Sequence, residues 1–97
     1  MGQDRSALTE PELAARLTTI PGWRRVGATI CREWVFVDFQ EAFGFLTRVA
    51  LLAEKADHHP EIRNVWNRVE LVLSTHDVGG LTALDFELAQ KINKVAV

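Results

Sequence analysis

The chain has 97 residues, 47% of them apolar and 25% charged, with a net charge of −2. That length fits one domain, 1–97, with one modest core. There is no basic block, which argues against direct nucleic-acid binding, and no apolar run nears the ~20 residues of a membrane span. The amino-terminal run Met1-Gly2-Gln3-Asp4-Arg5-Ser6 lacks the basic-then-apolar order of a signal peptide. Cys31 is the single cysteine, so no internal disulfide can form. These features lead to the expectation of a cytoplasmic domain.

The first element reads as a helix over about Glu10 to Thr18. Thr9 can cap it, Glu12 completes a capping box, and Pro11 suits a first turn. Pro21-Gly22 ends it. Trp23 to Val37 reads as two strands with a turn near Gly27-Ala28-Thr29. Trp34 and Phe36 should share one face, with Val35 and Val37 on the other. Asp38 then caps the clearest helix, about Phe39 to Ala56, with Glu41 at the capping-box position. Phe39, Ala42, Phe43, Leu46, Val49, Ala50 and Ala53 form its apolar stripe. Phe45, Leu51 and Leu52 fall outside that stripe, which predicts a second apolar face turned to another subunit.

Pro60 stops that helix after the pair His58-His59. Ile62–Val65 and a period-two strand from Arg68 towards His76 then read as a hairpin, with Asn67 expected at a positive φ. Asp77-Val78-Gly79-Gly80 is a loop by composition. Thr82 caps a last helix, with Asp85 at its capping-box position and Leu84, Leu88 and Ile92 as its stripe. The order α-β-β-α-β-β-α favours an α+β fold. In that fold a single four-stranded antiparallel sheet carries its helices on one face.

The chain has three histidines, His58, His59 and His76, and all lie at element ends. Imidazole, with a free pKa of ~6.5, is the side chain best suited to exchange protons near neutrality. If the second helix packs on the fourth strand, the three can meet at one edge, where Glu54 and Asp57 could orient a ring. On spacing alone His-His-Pro is more simply a surface turn, Asp85 a helix cap, Thr75 packing against Leu73, and Trp66 a core aromatic. Three imidazoles could also bind zinc, but adjacent histidines diverge and no helical i, i+4 pair is present.

Several runs, taken together, carry a more specific signal. They are Phe43-Gly44-Phe45-Leu46-Thr47-Arg48-Val49-Ala50, Ala53-Glu54-Lys55, Asp57-His58-His59-Pro60-Glu61, Asn64-Val65, Asn67, Leu73-Ser74-Thr75-His76-Asp77, Gly80-Leu81-Thr82 and Asp85. In these runs the chain resembles the pterin-4a-carbinolamine dehydratase family from about Trp23 to Ala96. The resemblance implies dehydration of a 4a-hydroxytetrahydropterin to the quinonoid dihydropterin. That reaction recycles the cofactor of aromatic amino acid hydroxylases and needs no metal or organic cofactor.

On that pattern His58, His59 and His76 would be catalytic. His58 and His76 would serve as proton donors on the two faces of the pterin, while His59 would chiefly hold the substrate. Glu54, Asp57, Trp66, Ser74, Thr75 and Asp85 would bind or support it. Leu84 departs from the pattern, standing where the animal members of the family carry a basic residue. A homo-oligomer, dimer or tetramer, is also implied, through the helix that bears Phe43, Phe45, Thr47 and Leu51. The alternative is a non-enzymatic protein-binding module, a transcriptional coactivator or an assembly chaperone, that uses this helix face.

Overall fold

A computed structural model describes residues 5–96. The reading of Met1-Gly2-Gln3-Asp4 as unlike a signal peptide therefore lies outside the described residues. The elements follow in the expected order. They are α1 (Glu10–Leu17), β1 (Arg24–Val26), β2 (Thr29–Val35), α2 (Phe39–Ala56), β3 (Glu61–Val65), β4 (Arg68–Leu73), a 3-10 turn (His76–Val78) and α3 (Ala83–Val95).

The local signals at the helix starts act as their chemistry demands. Thr9 and Glu12 close a full capping box on α1, and Thr82 and Asp85 close one on α3. At α2 only half of the box forms. Asp38 Oδ1 accepts the Glu41 amide at 2.9 Å, while Glu41 Oε1 reaches back to the Val37 amide instead.

The four strands form one antiparallel sheet in the order β1-β2-β4-β3. Register places Ile30 opposite Leu73 and Trp34 opposite Val69. The inner face therefore carries Ile30, Trp34, Val69, Leu71 and Leu73, all buried. Leu13 of α1, Ala42, Phe45, Leu46 and Val49 of α2, and Phe86, Leu88, Ala89 and Ile92 of α3 complete the same cluster. The outer face carries Glu33, Arg63, Val65, Arg68 and Glu70 around an open hollow of about 420 Å³.

Three expectations need correction. Phe45 does not face another subunit; it is fully buried, 4.8 Å from the Trp34 ring and 5.1 Å from the Phe36 ring. Phe39 and Phe43, expected inside, are about half exposed. The buried line is Ala42, Phe45, Leu46, Val49 and Ala53, a strict i, i+3, i+4, i+7 row. Phe39 and Phe43 sit on its flank, and Leu52 packs partly against the core. The positive φ in the β3–β4 hairpin falls on Trp66 (51°), not on Asn67. Asn67 instead ties the hairpin to the end of β2. Its carbonyl accepts the Phe36 amide at 2.8 Å, and its Nδ2 donates to the Phe36 carbonyl at 2.9 Å.

Candidate active site

The corner begins with the way α2 stops. Asp57 takes a left-handed conformation, φ 51° and ψ 42°. Its amide donates to the Glu54 carbonyl at 3.2 Å, and the His58 amide donates to the Ala53 carbonyl at 3.1 Å. This pair of bonds is a Schellman stop, normally built on glycine. An aspartate pays a small conformational cost there, which its short polar side chain tolerates. The reversal turns His58 back towards the domain, and Pro60 then leads the chain into β3.

His58 is buried, and its Nε2 lies 2.6 Å from Asp85 Oδ1. Asp85, in the first turn of α3, has no exposed surface. Its Oδ2 accepts the Thr82 amide at 2.9 Å and the Thr75 hydroxyl at 2.9 Å. Thr75 Oγ1 and Thr82 Oγ1 are 2.8 Å apart. Since the Thr75 proton goes to Asp85, the Thr82 hydroxyl must donate to Thr75. The chain of donors runs Thr82 to Thr75 to Asp85, and His58 approaches from the other side. Two donors, the Thr82 amide and the Thr75 hydroxyl, converge on Oδ2 and leave Oδ1 to His58. With Nε2 engaged by Asp85, Nδ1 is the ring nitrogen left to exchange a proton with a guest. Buried hydrogen bonds of this kind polarise one another and fix a single geometry.

Three elements are joined here: the end of α2, the end of β4 and the start of α3. β4 stops at Leu73, and Ser74, half-buried, continues the chain. Thr75 then pairs with Gly80 as an isolated bridge, its amide donating to the Gly80 carbonyl at 2.8 Å. That bridge closes the loop whose first residue is His76. The His76 ring is exposed and makes no hydrogen bond among the described residues. His59 is exposed too, and its Nε2 meets Glu54 Oε1 at 2.8 Å. The Asp57 side chain is exposed at the same corner.

The structure thus gathers His58 and Thr75 on the two oxygens of the Asp85 carboxylate. It sets His59 with Glu54 beside them, and His76 one residue beyond Thr75. It does not bring Trp66 there. Trp66 is exposed at the hairpin tip, with five residues of extended β3 between it and Pro60, roughly 16 Å of chain. Among the described residues no three His, Cys, Asp or Glu side chains are arranged to hold a metal ion. Thr82 is the participant that sequence reading missed. It was visible as a helix cap, but nothing local marks a cap hydroxyl as a donor to a strand-end threonine.

The sequence pattern of one family, pterin 4 alpha carbinolamine dehydratase, matches residues 6–95. A protein of Rhodopseudomonas palustris (strain HaA2) named for that dehydratase is 57% identical over 91 residues, 92% of this chain and 90% of its own length. A second, from Bradyrhizobium diazoefficiens, is 56% identical over 95 residues, 87% of this chain and 95% of its own. The crystal structure of a transcriptional coactivator/pterin dehydratase from Brucella melitensis superposes with a TM-score of 0.91. It is 45% identical, over 95% of this chain and all of that one. A pterin dehydratase-like protein, a RuBisCO assembly factor in the alpha-carboxysome, shares the fold at a TM-score of 0.68 and 20% identity. The chain belongs to the pterin 4 alpha carbinolamine dehydratase family.

Proposed function

We propose that the chain dehydrates a 4a-hydroxytetrahydropterin, with His58 and His76 moving the protons. In that reaction the bond from C4a to oxygen breaks, the hydroxyl leaves as water once protonated, and a ring nitrogen gives up its proton. No electrons are exchanged with another reactant, so the protein need supply only acid, base and a place to sit. His58, oriented through Nε2 by Asp85, exchanges its proton from Nδ1. His76 serves the other face of the ring, and His59, steadied by Glu54, holds the substrate. Asp57, Ser74 and Thr75 support the wall. The observation that supports this reading most is the buried contact of His58 with Asp85, itself held by Thr75, in a chain of this family. Such groups typically contribute about 10²–10⁴-fold each.

The test is stopped-flow dehydration of freshly generated carbinolamine. The wild-type chain should accelerate it. The double variant His58→Ala/His76→Ala should lose most of the acceleration while its circular dichroism stays native. An equal rate in that variant would remove the histidines from the mechanism.

The working form is a homo-oligomer, a dimer or a tetramer. Phe39, Phe43 and Leu51 lie exposed on α2, with Val35 and Val37 exposed just before it, and apolar side chains grouped in this way favour a partner surface.

A further inference from the structure

His76 differs from the other two histidines in one respect: no hydrogen bond holds its ring among the described residues. Where that ring sits is therefore decided by the backbone of the turn His76–Val78. On one side the turn is fixed by Thr75, which is fully buried and bonded to Asp85 and to Gly80. On the other side Asp77 is gripped by Arg5, a residue 72 positions earlier in the chain. Arg5 Nε donates to Asp77 Oδ2 at 3.0 Å and Nη2 donates to Oδ1 at 2.6 Å. A two-pronged guanidinium–carboxylate pair sets direction as well as distance. The arm that carries Arg5 is itself tied down. The Leu8 amide donates to the Leu81 carbonyl at 3.0 Å, and Leu8 packs against the core.

The charge on Arg5 is also felt at the histidine corner. The Arg5 guanidinium is held more firmly protonated first by its bond to Asp77, with smaller contributions from Asp57 and Asp85. Asp77 in turn is kept below the usual carboxylate range by Arg5 first, and the charge of His58 adds to this. Arg5, Asp57, Asp77, Asp85 and His58 thus share one electrostatic neighbourhood. Arg5 is the single cation in it that stays charged at every working pH.

We propose that Arg5 is a positioning residue of this site: by clasping Asp77 it holds the His76–Val78 turn closed and so sets where the His76 imidazole meets the substrate. The amino-terminal arm is then part of the active site, not a tail in front of the first helix. This inference rests on the dehydratase reading of His76, and its test separates the two.

The variants are Arg5→Gln and Arg5→Lys, each also placed in a His76→Ala background. In stopped-flow dehydration Arg5→Gln should lower kcat about fivefold and leave KM within about twofold, since an exposed pair holds geometry only modestly. Arg5→Lys, which keeps the charge but loses the fork, should fall between. In the His76→Ala background Arg5→Gln should cost nothing further. A second measurement needs no activity: exchange of the Val78 and Gly79 amides, which donate within the turn, should quicken about fivefold in Arg5→Gln. If the wild-type chain does not accelerate dehydration, the reading of the site fails, and the amides still decide whether Arg5 holds the turn. Unchanged kcat, unchanged amide exchange, or an equal loss with His76 already removed would each overturn the proposal.

Discussion

Asp85 carries two loads with one carboxylate. As a helix residue it accepts the Thr82 amide in a capping box, a local task set by a spacing of three. In the proposed site it also holds His58 from across the fold. The two tasks respond differently to Asp85→Asn. The amide oxygen can still cap α3, but the Nδ2 group would face either the Nε2 proton that the proposed mechanism gives His58 or the Thr75 hydroxyl proton. The expected result is a loss of roughly 10²-fold in kcat, from a misoriented imidazole, with a stability loss of about 1–3 kcal/mol from imperfectly paired buried groups. Stopped-flow kinetics and urea unfolding measure these separately, and a variant with the wild-type rate would refute the orienting role. The capping load was readable from Thr82-Ala83-Leu84-Asp85 because it lies within one turn. The orienting load was not, because nothing near Asp85 in the chain points to a histidine 27 residues back.

Among the elements, strands and helix starts were the most readable, since alternation and caps are local. The rotation of α2 was not. That helix offers two apolar faces of similar strength, and the choice between them is made by what lies beneath. The Trp34 and Phe36 rings fill the space that receives Phe45 and leave Phe43 at the rim. The link between α1 and β1 shows a similar dependence on distant partners. Arg32 lies on the inner face of β2, 4.8 Å above the Trp34 ring, and Nη1 donates to the Pro21 carbonyl at 2.7 Å and to Asn93 Oδ1 at 2.9 Å. Asn93 also accepts from Trp23 Nε1 at 2.8 Å and donates to the Pro21 carbonyl. Gly22 sits against this knot at φ 89°, where an added Cβ would lie 2.6 Å from Arg32 Nε and Nη1. The guanidinium is pinned, so it cannot simply swing aside. Gly22→Ala should therefore destabilise the fold by about 1–3 kcal/mol. Thermal unfolding provides the measurement, and an unchanged midpoint would show that the Arg32 knot gives way at no cost.

At the scale of the molecule, the inner face of the sheet is covered by helices, while α2 keeps Phe39, Phe43 and Leu51 in water. If this ridge joins copies of the chain, light scattering should report a multiple of the 10.9 kDa subunit, and Phe43→Glu should shift it towards the monomer. A buried carboxylate without a partner costs several kcal/mol, more than a rim contact can absorb. A monomeric wild-type chain, or an unaltered mass in the variant, would count against the ridge as the joint. The hairpin tip has a different consequence. The sequence has no tyrosine and three tryptophans, so its ultraviolet emission comes from indoles alone. Trp23 and Trp34 are sealed inside, 5.7 Å apart and edge to face, whereas Trp66 stands in solvent at the end of the sheet away from the histidines. The protein thus holds two blue-shifted fluorophores that register the integrity of its interior and one red-shifted fluorophore that registers what touches its far rim, and the two bands can be read in a single spectrum.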